Sequence, residues 1–127
     1  MSPPSPLILL AEDNPPTAEI TKEIIETLGY RVEVAPNGRI AVARTAELLP
    51  TLVLMDVQMP EMDGLEATRA IKADPRTAHV PVVCLTAFAM AEEERRCLDA
   101  GAELHLAKPI DFERLAKVLD RYCKPIG

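Results

Sequence analysis

The sequence predicts an α/β domain, a doubly wound five-stranded parallel sheet with helices on both faces. Short apolar runs alternate with segments whose apolar residues recur at helical spacing, from Leu7 to Tyr122. Cap and turn residues stand between these segments at nearly every junction. Most of the apolar runs are continuous, as strands covered on both faces are. At 127 residues one domain is expected, and strict alternation makes right-handed crossovers between parallel strands the default.

Taken in order, Met1 to Pro6 carries three prolines and reads as a short disordered tail, with the domain running from 7 to 127. Leu7 to Ala11 is the first strand. Asn14 caps a helix with Pro15 at its first position, in which Ala18, Thr21, Ile24, Ile25 and Leu28 share a face before Gly29 stops it. Tyr30 to Ala35 alternates, with Val32 and Val34 on one side. Pro36-Asn37-Gly38 is a turn, and Ile40 to Leu49 a second helix closed by Pro50. Thr51 to Asp56 is a buried-looking run. Asp63 caps a helix from Gly64 to about Ala73, and Asp74-Pro75 ends it. Val80 to Leu85 is the fourth strand. Ala89 to Ala100 is a helix with Glu92, Glu93 and Glu94 ahead of Arg95 and Arg96, the order that suits the helix dipole. Gly101 terminates it. Leu104 to Ala107 is the last strand, and Asp111 caps a final helix with Leu115, Val118, Leu119 and Tyr122 as its inner stripe.

Composition bounds the function. Hydrophobic residues make up 48% and aromatics only 3%, with no Trp, so the core is expected to be aliphatic. A net charge of −6 argues against a nucleic-acid-binding surface. Cys84, Cys97 and Cys123 have neither zinc nor disulfide spacing and read as idle, buried thiols. No run reaches membrane-spanning length and no secretory signal opens the chain, so a cytosolic location is expected. His79 reads as a loop residue and the Glu92–Arg96 cluster as a solvated helix face.

The chemistry gathers at the strand ends. In open α/β sheets the site lies outside the carboxyl ends of the strands. There the first strand runs into Glu12-Asp13, the third ends in Asp56, the fourth leads to Thr86 and the last to Lys108. Three crowded carboxylates repel one another unless a cation neutralises them. A hard divalent ion such as Mg²⁺ meets that need, with water and phosphate oxygens completing its shell. Glu12 and Asp13 can hold such an ion while Asp56 serves as nucleophile toward a phosphoryl group. Lys108 would pair with the phosphoryl oxygens, and Thr86 would donate a hydrogen bond to one of them. Positioning and electrostatics are most of what phosphoryl transfer requires.

Leu10-Ala11-Glu12-Asp13-Asn14, the run from Met55 to Gly64, Leu85-Thr86-Ala87 and Lys108-Pro109-Ile110 together resemble the receiver domain of two-component response regulators. The wording from Met59 to Arg69 is similar to receivers of hybrid histidine kinases or stand-alone receivers. The resemblance implies a flavodoxin-like (βα)5 receiver fold that acts as a phosphorelay switch, not a metabolic enzyme. By it, Asp56 is the phospho-acceptor and takes its phosphoryl group from a sensor histidine kinase or histidine phosphotransfer protein. Glu12, Asp13, Asp56 and the backbone carbonyl of Gln58 hold Mg²⁺. Thr86 is the switch hydroxyl, Lys108 reads the phosphate, and the Lys108–Pro109 bond is cis. An output partner is expected on the face of the fourth helix, last strand and last helix, with the protein a monomer or weak dimer.

Two positions bear on tuning. His105 stands where the family commonly has Tyr or Phe, and a smaller, polar ring that titrates near neutrality is expected to make the switch weaker or pH-sensitive. Gln58 and Phe88 are neutral at the positions that tune phosphoryl hydrolysis, and a bulky Phe88 is expected to lengthen the phosphorylated lifetime. Asp63 is expected to be a cap rather than a metal ligand. Three other functions compete with this reading. A Mg²⁺-dependent aspartyl phosphohydrolase wants a second carboxylate where Gln58 stands. A flavodoxin-like cofactor binder wants a Ser/Thr/Gly-rich loop where Glu-Asp-Asn-Pro-Pro stands. A phosphorylation-independent docking module is the third. The chain stops at Gly127, shortly after the final helix, so it reads either as a lone receiver or as a piece of a larger protein.

Overall fold

The computed structural model describes residues 6–59, 62–87 and 90–123. Its elements run β1 (Leu7–Ala11), α1 (Pro15–Thr27), β2 (Arg31–Ala35), α2 (Gly38–Leu48), β3 (Leu52–Asp56), α3 (Gly64–Ala73), β4 (Val82–Thr86), α4 (Ala91–Asp99), β5 (Leu104–Ala107) and α5 (Phe112–Cys123). All strand pairs are parallel, in the order β2-β1-β3-β4-β5. The chain therefore steps outward from β1 to β2 and returns to place β3 on the other side of β1. That reversal opens a crevice at the carboxyl ends of β1 and β3, the switch point where such sheets bind ligands.

The continuous apolar runs have the cause the sequence suggests. Side chains alternate across the sheet. Ile8, Leu10, Leu54 and Leu85 therefore face α1 and α5, packing on Ile25, Leu115 and Leu119. Leu9, Val53, Met55 and Val82 face α2 and α3, on Ala41, Ala67 and Ile71. β3 and β4 are buried at every position, including Asp56 and Thr86 at their tips. Burying each large aliphatic side chain contributes about 2 kcal/mol, and the two layers fix the strand ends without any tryptophan. A third cluster seats α4, with Cys97 on Cys84, Val57 and Leu65. The three thiols are free and buried, and burial pushes Cys123 up to about 11.

Several element boundaries differ from the sequence expectation for local reasons. α2 begins at Gly38, because Asn37 Oδ1 accepts the Ile40 amide at 2.8 Å and caps the helix. It ends with Leu49 in the left-handed region, φ 46°, before Pro50 is reached. β4 begins at Val82: the Val80 amide closes a turn onto the Thr77 carbonyl at 3.0 Å, and Pro81 has no amide to give. β2 begins at Arg31, and α4 runs Ala91–Asp99; the expected start at Ala89 lies outside the described residues, as do positions 1–5 of the tail. Val34 does not share the burial of Val32. β2 is an edge strand, and its cover reaches Val32 (8% exposed) but leaves Val34 38% exposed. Cys123 completes the buried stripe of α5, while Tyr122 packs at its margin. Asp63 caps α3 through the Glu66 amide, as expected, His79 is exposed, and the Lys108–Pro109 peptide is cis.

Candidate functional site

Asp56 reaches the crevice because β3 carries it there. The Val57 amide extends the ladder onto the Leu85 carbonyl at 2.9 Å, and the Gly64 amide then folds back to the Val57 carbonyl at 2.9 Å. Position 64 must be glycine, since a Cβ would stand 2.2 Å from the Asp56 carbonyl oxygen. Asp56 is 4% exposed, and its Oδ1 accepts the Gln58 amide at 3.2 Å.

β1 supplies the neighbouring acids. Glu12 is 3% exposed. Its amide pairs with the Ala35 carbonyl at 3.0 Å, and its Oε2 accepts the Asn14 amide at 3.3 Å. Asp13 points to solvent. One oxygen from each of Glu12, Asp13 and Asp56 lies within 4.8 Å of the others. The countercharge comes from the other side of β3. Lys108, just past β5, donates from Nζ to Glu12 Oε1 at 2.7 Å and to Asp56 Oδ2 at 3.0 Å.

One ammonium against three carboxylates leaves the cluster electrostatically unsatisfied. Burial first, and then the adjacent Asp56, raise the Glu12 carboxyl above its ordinary value, and Lys108 draws it back only in part. Burial works against the Lys108 charge as well. The hydrogen bonds to Glu12 and Asp56 outweigh it, and the Lys108 pKa is raised. Both directions follow from one arrangement, in which a single cation serves two buried anions. The donors are all hard oxygen, and residual negative charge is what draws a divalent cation, so this set fits Mg²⁺ rather than a softer metal.

The remaining expected residues fall at different distances from this centre. Thr86 ends β4, 1% exposed, and its carbonyl accepts the Lys108 amide at 2.8 Å, so the threonine and lysine strand ends are tied together. Gln58, two residues after Asp56, lines an open cavity of about 520 Å³ with Asp13, Asp63, Glu93 and Arg96. His105 lies back along β5, opposite Cys84 in register. Its Nδ1 is 4.0 Å from Glu94 Oε2 of α4, away from the acids. Phe88 lies outside the described residues. Sequence reasoning did not foresee that Glu93 and Arg96 flank the cavity; three-residue spacing on α4 puts both on one helix face, but which way that face turns is set by the packing of Cys97.

The family model for the response regulator receiver domain matches residues 8–120. The chain belongs to the response regulator receiver family. Among curated receiver proteins it is 36% identical to the polar-differentiation response regulator DivK of Brucella anthropi over 115 residues, covering 91% of this chain and 94% of that one. Among solved receiver structures, the receiver domain of sensor histidine kinase PA1611 from Pseudomonas aeruginosa superposes with a TM-score of 0.88 at 35% identity. That match covers 96% of this chain and 100% of the other, which was crystallised with a magnesium ion coordinated in its active site cleft. The receiver domain of Ssk1 from Saccharomyces cerevisiae, co-crystallised with the histidine phosphotransfer protein Ypd1, matches with a TM-score of 0.86 at 27% identity, over 94% of this chain and 90% of that one. The protein is thus a receiver domain of two-component response regulators, and its acidic cluster fits a phospho-acceptor site.

The raised Glu12 value sets a pH dependence for the metal-free receiver domain. A carboxyl whose folded pKa is raised holds its proton more tightly in the native state. Its contribution is present below the unfolded value, about 4.5, and is lost as pH rises through the folded one. In urea unfolding without divalent ions, Glu12→Gln should gain stability relative to wild type as pH climbs from 4.5 toward neutrality. A gap that stays constant across that range would mean that Glu12 is not the strained group.

Proposed function

We propose that Asp56 is the phospho-acceptor of a two-component phosphorelay. The observation that carries this reading is the convergence of Glu12, Asp13 and Asp56 oxygens within 4.8 Å beside the Lys108 ammonium. An Asp56 carboxylate oxygen attacks the phosphorus of a phosphohistidine. The phosphorus–nitrogen bond breaks, its electron pair returns to the imidazole, and an aspartyl phosphate remains. Glu12, Asp13, Asp56 and the Gln58 carbonyl would hold Mg²⁺, which when bound supplies positive charge to the phosphoryl oxygens. Lys108, already 3.0 Å from Asp56, exchanges a carboxylate oxygen for a phosphoryl oxygen. The Thr86 hydroxyl donates to another.

The product is a switch rather than a turnover enzyme, since Gln58 provides no acid for a leaving group. The new charge at Asp56 biases two arrangements of the Thr86 and His105 region, and a partner that distinguishes them reads the signal. His105 works here beside Glu94, whose Oε2 lies 4.0 Å from its Nδ1 across the seam between β5 and α4. The output partner docks on α4, β5 and α5, where Leu98 and Phe112 are exposed. We place this relay in the cytoplasm, with no nucleic acid bound directly and the protein a monomer or weak dimer. No helix among the described residues is long and apolar enough to cross a membrane.

The donor has its own approach. Thr17, Ile20, Thr21 and Ile24 of α1 face Pro109 and Ile110 across an apolar cavity of about 450 Å³ that Lys108 shares with the acidic site. Ile20 stands 61% exposed at its edge. A histidine phosphotransfer protein that seats apolar helix surface there brings its histidine to the rim of the crevice.

Incubation with Mg²⁺ and acetyl phosphate should add one phosphoryl group to the wild type and none to Asp56→Asn by intact mass. No adduct on either, together with failure to bind beryllofluoride, would leave a docking module that ignores phosphate. Ile20→Glu should slow transfer from a phosphorylated histidine phosphotransfer protein at least about tenfold, equivalent to about 1.4 kcal/mol, while labelling by acetyl phosphate is unchanged; equal loss with both donors would place the fault in the site itself. For the switch, His105→Phe should widen the difference in partner affinity between the phosphorylated and unphosphorylated protein, and an unchanged difference would remove His105 from the mechanism.

A further inference from the structure

We infer that Gly38, the first residue of α2, is a positioning residue for the metal and phosphoryl site, although it lies on a different element and carries no functional group. The inference rests on the metal reading proposed above. Gly38 is buried. A Cβ there would stand 2.2 Å from the Met62 carbonyl oxygen, 3.0 Å from its carbonyl carbon and 3.2 Å from its Cβ. The obstacle is backbone, so it cannot swing aside as a side-chain tip would. Any side chain at 38 drives α2 and the β3–α3 connection apart by roughly 1 Å, and close-packed interiors absorb such a shift poorly.

That connection delivers the metal-ligand carbonyl. It leaves β3 through Val57 and Gln58 and returns through Met62 and Asp63. Its departing end is held by Met59, buried in the α2–α3 layer, and its returning end by Met62, packed against the same layer with Ala41 of α2. Two residues after Met62, Gly64 closes on the Asp56 carbonyl with no room for a Cβ and donates its amide to Val57. The connection is thus pinched at two glycine contacts, Gly64 against Asp56 and Gly38 against Met62. Displacing Met62 pulls on Gly64, and through its contacts with the Asp56 and Val57 carbonyls on the peptide unit that joins Val57 to Gln58. A 1 Å displacement near a reacting group is enough to matter.

The test is Mg²⁺ affinity, read by calorimetry on the whole chain for wild type, Gly38→Ala, Asn37→Ala and Asp13→Asn. Gly38→Ala should weaken Mg²⁺ binding about tenfold, the usual size of an effect from a group supporting a metal ligand. Asn37→Ala removes a cap from the same helix end and lowers the Tm, yet should keep its Mg²⁺ affinity. Wild-type affinity in Gly38→Ala, or equal loss in Asn37→Ala, would overturn the inference while leaving the metal site standing. No Mg²⁺ binding by the wild type, or no loss in Asp13→Asn, would overturn the metal reading itself and the inference with it. If Gly38→Ala does not fold, a Mg²⁺ titration of the wild type followed by amide resonances decides: Gly38 should shift with the same midpoint as Gln58, and a stationary Gly38 would refute the coupling.

Discussion

Everything in this molecule is arranged around a repulsion. Three carboxylates meet at the end of a buried parallel sheet, and two of them, Glu12 and Asp56, are almost wholly removed from water. Such a cluster costs free energy in any chain that forms it. It survives because the aliphatic layers on both sheet faces hold the strand ends level, and because one lysine reaches across to neutralise part of the charge. The charge left over is what fits the site to a divalent cation.

The scaffold answers this demand with backbone rather than with side chains. The connection after Asp56 has glycine at the points where main chain meets main chain, and methionines where it must be anchored in the layer below. The buried face of α4 uses small and soft residues, Cys97 against Cys84, beside the strand that ends in Thr86. The elements proposed to read the signal, α4 and the His105 strand, meet through a long ion pair at 4.0 Å that is charged only when the histidine is.

Much of this was legible in the sequence, because the signals were strong and local. A continuous run such as Leu52–Met55, short and set between Pro50 and a Pro/Gly turn, reads as a strand covered on both faces, and the acid that follows it falls at the carboxyl end of the sheet. Asn14, Asp63 and the glycines announce their caps and turns. What was not legible depended on neighbours distant in sequence. Val34 has the same alternation as Val32, and only the position of β2 at the sheet edge decides that it stays exposed. Nothing in Pro36-Asn37-Gly38 says that the turn is also a helix cap, nor that Gly38 touches Met62. The bond from Lys108 to Glu12 is likewise absent from any local pattern. Crowding implied that a cation was needed, but not that one lysine would serve two of the three acids at once.

The Lys108 bonds to Glu12 and Asp56 span 96 and 52 residues of chain. This has a meaning for the protein while it is being made. A ribosome-bound chain that has emerged as far as β4 already carries every acid of the cluster, but not the ammonium that balances them. Glu12 and Asp56 lack their ammonium partner until Lys108, just past β5, is in place. The last strand of the sheet thus closes the account of charge: a chain interrupted before it holds the acids without their ammonium. Completion of the sheet and balance of its acids are joined at the same nitrogen atom.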